Sequence, residues 1–254
     1  MRSLLTVLIP AVLAMACGGS EDAPEALVSP PEVLAPAPAS FVASAPLKPD
    51  LRTETVSCYA LPSATVHCRE RLVNDMPDVR CAVLPEGTAC DAGAVPDTPL
   101  DGGFEIQVMG AAGEHIAMFR KTDYHHAALV VSARTGAVVL EGDVLGQEPV
   151  GSFDDGAFTV QNLMAGTCTT GPNGNEASWR SGCLAAAKAG LAASTRPGAF
   201  TTGTDASALS TLACTDARYA EVSGLGVVGA FPTVRVELET LERAVVGMAC
   251  GSPE

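Results

Sequence analysis

The sequence has few aromatic residues and no short catalytic signature. Phenylalanine, tryptophan and tyrosine make up 4% of the chain, and Trp179 is its single tryptophan. Binding sites that stack sugars on aromatic rings are poorly supplied, which argues against a carbohydrate-binding protein. No G-x-S-x-G, H-E-x-x-H, P-loop or dinucleotide-binding pattern occurs, and no C-x-x-C pair supports a thioredoxin-type or zinc-ribbon site.

Cationic side chains are also scarce. The chain has 15 lysines and arginines against 29 aspartates and glutamates, which gives a formal net charge of −14. An acidic protein of this kind repels phosphate backbones, so we expect no nucleic-acid partner.

The N-terminal apolar run is too short to anchor the chain in a membrane. Leu4 to Ala16 is a run of 13 uncharged, mostly apolar residues that follows Arg2, whereas a spanning helix needs about 20. Such a run is typical of a secretory signal peptide, with Ala14 and Ala16 as the small residues before a cleavage site. We therefore predict a signal peptide over residues 1–16 and cleavage before Cys17.

The residues Leu13-Ala14-Met15-Ala16-Cys17 resemble the lipobox of bacterial lipoproteins. In that family the cysteine thiol carries a diacylglyceryl group, and the amine freed by cleavage is usually acylated. The resemblance implies that Cys17 is lipidated and that this lipid is the contact with the membrane. Gly18 stands where an inner-membrane retention signal would have aspartate, which implies an outer-membrane lipoprotein, periplasmic or surface-exposed. The alternative is ordinary secretion with an unmodified Cys17.

The cysteine count fits an exported protein with disulfide bonds. Setting Cys17 apart from the nine cysteines leaves an even number, as a disulfide framework requires. The disulfide candidates are Cys58, Cys68, Cys81, Cys90, Cys168, Cys183, Cys214 and Cys250. The sequence does not choose among their many connectivities. Local pairing of Cys58 with Cys68 and of Cys81 with Cys90 is the simplest expectation.

Composition divides the mature chain into three parts. Residues 17–52 contain the lipidated cysteine and a tether rich in proline and alanine, where frequent prolines prevent a continuous helix. Residues 53–100 form a cysteine-rich N-terminal lobe. Residues 101–254 form an α+β body, preceded by a loop-like stretch rich in Asp, Pro and Gly.

The body begins with strand-like patterns and continues with helix-like ones. Strands are predicted over 104–110, 115–121, 127–133 and 136–144, with a tight turn at Thr135-Gly136. These strands predict an antiparallel β-meander with one packed and one solvated face. A four-residue apolar spacing predicts a helix over 175–195, and a second is plausible over 205–218.

The C-terminal part completes the predicted fold. Residues 233–239 alternate as a strand, and 241–250 are compatible with strand or helix. The predicted fold class is α+β: an antiparallel β-meander with one or two helices, stapled by disulfides.

Polar residues that could carry chemistry have simpler interpretations. If 115–121 and 125–131 pair as a hairpin, His125 and His126 point to opposite faces and His115 lies near the far end, so we expect no metal site. Acidic residues at 97, 101, 154 and 155 fit turns rather than calcium loops. Ser181 has no histidine nearby in sequence and fits a helix surface better than a nucleophile.

The sequence therefore indicates a location more clearly than an activity. We expect a cell-envelope lipoprotein with a non-enzymatic binding or structural ectodomain. We expect no cofactor, and another envelope protein is its possible partner. The alternative is a secreted hydrolase, or a hydrolase inhibitor, whose site is assembled from residues scattered along the chain.

Overall fold

The computed structural model describes residues 42–91, 100–122, 126–144, 150–164, 166–169, 185, 198–200 and 227–251. All of them belong to one compact unit, Pro38–Glu254. Their regular structure is almost entirely β-strand, in three antiparallel sheets. The predicted α+β class is therefore wrong for the described chain, which is antiparallel β. The helices predicted over 175–195 and 205–218 lie outside the described residues, except for Ala185, which is helical.

The first sheet, sheet A, comes from the cysteine-rich segment and is a five-stranded meander. Its strands in spatial order are β1 (Leu51–Arg52), β2 (Val56–Ala60), β3 (Ala64–Val73), β4 (Met76–Pro85) and β5 (Leu100–Gly103). The longest pairing joins β3 to β4, from Ala64 opposite Pro85 to Val73 opposite Met76. Ala64, Val66 and Cys68 alternate along β3 and face the core, which is the pattern expected of a strand with one buried face.

The second sheet, sheet B, is the meander that the sequence predicts. Its strands in spatial order are β6 (Glu105–Ala112), β7 (His115–Lys121), β8 (His126–Ser132) and β9 (Val138–Val144). All three pairings are antiparallel. The predicted turn at Thr135-Gly136 is also present. Gly136 has a φ of +70° in this turn, which glycine accepts without steric penalty.

The third sheet, sheet C, is built around its longest strand. Its strands are β10 (Gly151–Asp154), β11 (Ala157–Val160), β12 (Gly166–Thr169), β13 (Val227–Glu237) and β14 (Arg243–Gly251). One edge of β13 pairs with β11 and β12 in succession, and its other edge pairs with β14. The strand predicted over 233–239 is confirmed in β13 as far as Glu237, and residues 238 and 239 belong to the turn that follows. The segment 241–250, predicted as strand or helix, is largely strand β14.

Sheet B lies between the other two sheets and is buried on both faces. Along β7, Ile116 and Met118 pack in one hydrophobic core with residues of sheet A, whereas Ala117 and Phe119 pack in another with residues of sheet C. The prediction of one packed and one solvated face is therefore wrong. The reason is visible in β8, where residues 127–131 are all apolar and all buried, as expected for a strand covered on both sides.

Small residues allow sheets B and C to approach each other closely. A Cβ atom on Gly142 would lie 2.7 Å from Leu163 Cδ2 and 3.2 Å from Phe200 Cδ2, and both of those side chains are buried. A Cβ atom on Gly151 would lie 2.6 Å from Cζ of the buried Phe119 ring. Glycine at these positions makes room for the phenylalanines that fill this core.

The end of the predicted tether lies against all three sheets. The Ser44 N–H donates to the Gly151 carbonyl of sheet C at 3.1 Å, and the Leu47 N–H donates to the Val108 carbonyl of sheet B at 2.7 Å. Asp50 then meets sheet A, where its N–H donates to the Cys58 carbonyl at 2.8 Å. Residues 42–50 therefore form a strap across the three layers.

Candidate functional site

The described chain has a narrow cleft beside Tyr59 and two more open clefts, of about 600 Å³ beside Thr65 and about 540 Å³ beside Arg235. The cleft beside Tyr59 has a volume of about 150 Å³ and is lined by Arg52, Glu54, Glu70 and Glu105 among its polar groups. This volume is below the range of about 300–1,000 Å³ that drug-sized ligand pockets usually hold, whereas the two more open clefts fall within that range. Burial raises the pKa of Tyr59, against a smaller lowering by its hydrogen bond with Ser57. Tyr59 therefore keeps its proton at neutral pH and does not serve as a base there.

The described histidines also do not come together. His115 lies opposite Ser132 at one end of the β7–β8 hairpin, and its Nδ1 donates to the Leu238 carbonyl at 2.6 Å. His126 lies opposite Lys121 at the other end, about 20 Å away along the strands. His125 and Ser181 lie outside the described residues, as does Asp97. In the described ranges no group of three or more His, Cys, Asp or Glu residues is placed to hold a metal ion.

The acidic pair that resembled calcium ligands forms a turn. Asp155 has a φ of +46° and Gly156 a φ of +77° in the connection between β10 and β11. Asp and Gly are favoured at such positions for backbone reasons, as the sequence analysis expected. Asp101 lies in strand β5.

The most distinctive surface feature is the end of the β3–β4 hairpin. Strand β2 pairs with β3 only as far as Arg69, and β5 pairs with β4 only as far as Val79. No strand in the described ranges pairs with residues 71–78, which we call the hairpin arm. Three residues on each strand, 71–73 and 76–78, at about 3.4 Å per residue extend the arm by roughly 10 Å before the turn.

The arm carries exposed apolar side chains at its tip. Leu72 is 70% exposed, Met76 is 49% exposed and Val73 is 43% exposed. Isolated exposed apolar residues are ordinary, but here three are adjacent on one projecting element. Their neighbour Pro77 is exposed as well. The tip is therefore the best candidate for a contact surface in the described chain.

Local geometry makes the arm rigid. Asn74 and Asp75 have φ values of 54° and 64°, which match a two-residue type I′ turn, the turn that suits the twist of a hairpin. At the base of the arm, Cys68 and Cys81 lie directly opposite each other and form a disulfide. A two-stranded ribbon alone is marginally stable, so this bond and the turn hold the arm in one shape.

An ion-pair cluster braces one face of the arm. Arg71 Nε donates to Asp78 Oδ2 at 2.7 Å, and Arg80 Nε donates to the same oxygen at 3.1 Å. The hydrogen bond from Arg71 is the main cause that holds the pKa of Asp78 below its usual value, with Arg80 adding to it. Alternation along the strands places Arg69, Val73 and Met76 on the same face.

A second disulfide fastens a loop over the outer face of sheet A. Cys58 bonds to Cys90, which lies in the segment after β4. In the same segment the Thr88 carbonyl accepts a hydrogen bond of 2.9 Å from Thr65 Oγ1. His67, directly opposite Cys58, is only 1% exposed. The loop therefore closes a small outer core beside the base of the hairpin.

The observed pairing corrects the expected one. Cys58 was expected to bond to Cys68, and Cys81 to Cys90. In the sheet, Cys58 lies opposite His67, and Cys68 lies opposite Ser57. A shift of one residue places two side chains on opposite faces, so Cys58 and Cys68 cannot meet.

The other predicted site residues lie partly outside the described chain. Cys168 lies in β12 and Cys250 in β14, and neither side chain is described. Cys17, Cys183 and Cys214 lie outside the described residues. Sequence reasoning missed the arm, although Leu72-Val73-Asn74-Asp75-Met76 carries a hairpin signal: two turn residues between apolar ones.

Comparison with known proteins adds no family or related fold to this description. No protein-family model, curated protein sequence or solved structure matches the chain. In the described ranges no helix is long and apolar enough to cross a membrane.

Proposed function

We propose that this chain is a lipid-anchored protein of the bacterial cell envelope whose folded unit is a non-enzymatic binding ectodomain. The observation that carries the binding role is the hairpin arm, which is rigid, projecting and apolar at its tip. Two disulfides in sheet A support an oxidising compartment, since such bonds persist mainly in exported proteins.

The anchor half of the proposal depends on Cys17. A signal-peptide pattern that ends at a cysteine supports lipidation, and attached acyl chains would hold the protein at the outer membrane. Residues 18–41 would then join the lipid to the strap at residues 42–50, which is the first part of the chain seen to contact the sheets.

Cell fractionation tests the anchor. The full-length protein should enter the membrane fraction, with a mature mass above that of residues 17–254 by the attached acyl groups. The C17S variant should move to the soluble fraction, because it lacks the thiol that carries the diacylglyceryl group. The matched control S20A should stay in the membrane fraction. Equal partition of the wild type and C17S would contradict lipid anchoring.

The enzymatic alternative has its own test. The purified full-length protein should turn over no generic ester, peptide or glycoside substrate. Turnover that copurifies with the protein and is lost in E70Q, a substitution in the cleft beside Tyr59, would establish the hydrolase alternative instead. A hydrolase inhibitor would use the same arm and would differ only in its partner.

A further inference from the structure

The backbone of the hairpin arm is poorly suited to strand addition along its β4 edge, which favours contact through its side chains. Cross-strand pairs alternate between hydrogen-bonded and non-hydrogen-bonded positions. The Cα atoms of Cys68 and Cys81 are 3.9 Å apart, so theirs is the close, non-hydrogen-bonded kind. Alternation then makes Leu72 and Pro77 a non-hydrogen-bonded pair, whose backbone polar groups point outward. Pro77 has no N–H, so the β4 edge of the arm lacks a donor there and strand addition at that edge is disfavoured.

One face of the arm combines apolar contact with positive charge. Val73 and Met76 lie on the same face as Arg71, Asp78 and the flanking residues Arg69 and Arg80. We call these six residues the arginine face. Its three arginines stand against one aspartate, although acidic residues outnumber basic ones about two to one in the whole chain. The opposite face of the arm carries Leu72, Pro77 and the flanking Glu70.

We propose that the arginine face docks into a socket on another protein, with an apolar floor for Val73 and Met76 and acidic groups around its rim. The inference rests on the proposed binding function and specifies the partner's chemistry. Arginine is well suited to a rim of carboxylates because its planar guanidinium forms paired hydrogen bonds with them. The braced shape of the arm reduces the entropy lost on docking.

A membrane surface fits the arm less well than a protein does. Asn74 and Asp75 stand at the apex, so two polar side chains would enter the bilayer first. The outward backbone groups of Leu72 would also lose water without gaining a partner in lipid. The net charge of −14 adds repulsion from anionic lipids.

A second copy of this chain also fits less well. A second copy would offer Arg69, Arg71 and Arg80 no acidic rim, only one aspartate, Asp78, which Arg71 and Arg80 of its own chain already bind. Two arginine faces would also bring like charges together.

Site-specific photo-crosslinking in the producing cells tests the proposal. A photoreactive phenylalanine analogue is placed at position 73 of the full-length protein, and at position 72 on the opposite face as the matched control. We expect position 73 to label one protein strongly and position 72 to label it weakly. Labelling of lipid, labelling of a second copy at the dimer mass, equal labelling from both positions or no labelling would each overturn the proposal.

The captured protein then serves as the probe in a binding titration. Its affinity should fall at least about fivefold between 50 and 300 mM salt, because the rim pairs are screened. The double variant R71Q/R80Q should bind about tenfold more weakly and lose most of that salt dependence. The control R235Q, which removes a comparable exposed arginine from sheet C, should bind within about twofold of the wild type. Salt-independent binding, or equal effects of R71Q/R80Q and R235Q on affinity, would overturn the proposal that the partner has an acidic rim.

Two controls separate this inference from the proposed function and from misfolding. Intact mass without reductant checks that each variant keeps its disulfides. If C17S leaves the membrane but the arm still crosslinks nothing, the lipoprotein assignment stands and the docking inference fails. If crosslinking persists while lipidation is absent, the docking inference stands and the anchor fails.

Discussion

Phe158 connects sheet C to sheet B through contacts between phenylalanine rings. It is fully buried in β11 of sheet C and meets the Phe119 ring of sheet B edge-on, with ring centroids 5.3 Å apart. Its other neighbour is Phe200, also edge-on, at 6.1 Å. Replacing Phe158 with alanine removes both ring contacts and leaves a cavity between two sheets that cannot close easily.

The expected loss of stability follows from these contacts. Burial of the phenylalanine side chain contributes about 1.5–3 kcal/mol, and each edge-on ring pair adds about 0.5–1.5 kcal/mol. The sum, about 4 kcal/mol, agrees with the roughly 3–5 kcal/mol measured for Phe-to-Ala changes in cores. It is a large share of the about 5–15 kcal/mol that holds a typical protein folded.

Urea unfolding followed by far-ultraviolet circular dichroism measures the effect. F158A should lower the free energy of unfolding by about 4 kcal/mol, and F158L by roughly 1–2 kcal/mol because it retains most of the volume. F153A is the matched control: Phe153 is only partly buried beside Gly110, so it should lose less than F158A does. A loss below about 1 kcal/mol for F158A, or no greater than for F153A, would refute this account of the core.

Three further predictions follow from backbone spacing, close packing and charge. Cys168 lies opposite Val228 on one edge of β13, and Cys250 lies opposite Ala230 on the other edge. Strand spacing puts the Cα atoms of the two cysteines about 9.5 Å apart or more, beyond the roughly 7 Å limit for a disulfide. We therefore expect no bond between them, and a non-reducing peptide map that links them would contradict the sheet order. G142A should destabilise the protein by roughly 1–3 kcal/mol in the same urea assay, because the added methyl group would collide with Leu163 and Phe200. An unchanged urea midpoint would show that these side chains can move to make room for it. The pKa of the Asp78 carboxyl, followed by carbon NMR, should lie below the usual aspartate value of 3.8, so its ion pairs form as pH rises and are lost as pH falls through the lowered pKa. R71Q should return the pKa toward 3.8, and an unchanged pKa in R71Q would exclude Arg71 as the cause.

The sequence predicted sheet B well because its information is local. Alternation and turn residues determine which segments pair with their neighbours, and the Thr135-Gly136 turn requires only adjacent residues. Whether a face is wet depends on what packs against it, and that partner lies far away in sequence. The continuous apolar run at 127–131 was the available sign of a doubly covered strand.

The cysteines illustrate a different limit. An even count predicts disulfides, and two are present in sheet A. Connectivity depends on strand register, since a slip of one residue exchanges the two faces. Register in the β2–β3 pair places His67, not Cys68, opposite Cys58, and no spacing rule in the sequence reports that alignment.

The strap was difficult to predict because its bonds are made by the backbone. Pro46 and Pro49 indicate an extended chain, which suits a free tether and a bound strap equally well. The side chain of Asp50 also accepts a hydrogen bond of 2.7 Å from the Ala60 N–H, but an aspartate in a proline-rich stretch carries no signal of that role. Hydrogen bonds to the three sheets, not local preference, fix this segment.

The arm differs from the rest of the fold in what its side chains contribute. Nearly every large apolar residue of the described strands is placed in one of two cores that sheet B separates, so each stabilises the fold by its burial. Leu72, Val73 and Met76 belong to neither core and extend away from both. Exposed positions of this kind usually change stability by no more than about 0.5 kcal/mol when replaced. Folding therefore does not account for apolar residues at the tip, whereas the proposed contact with a partner would.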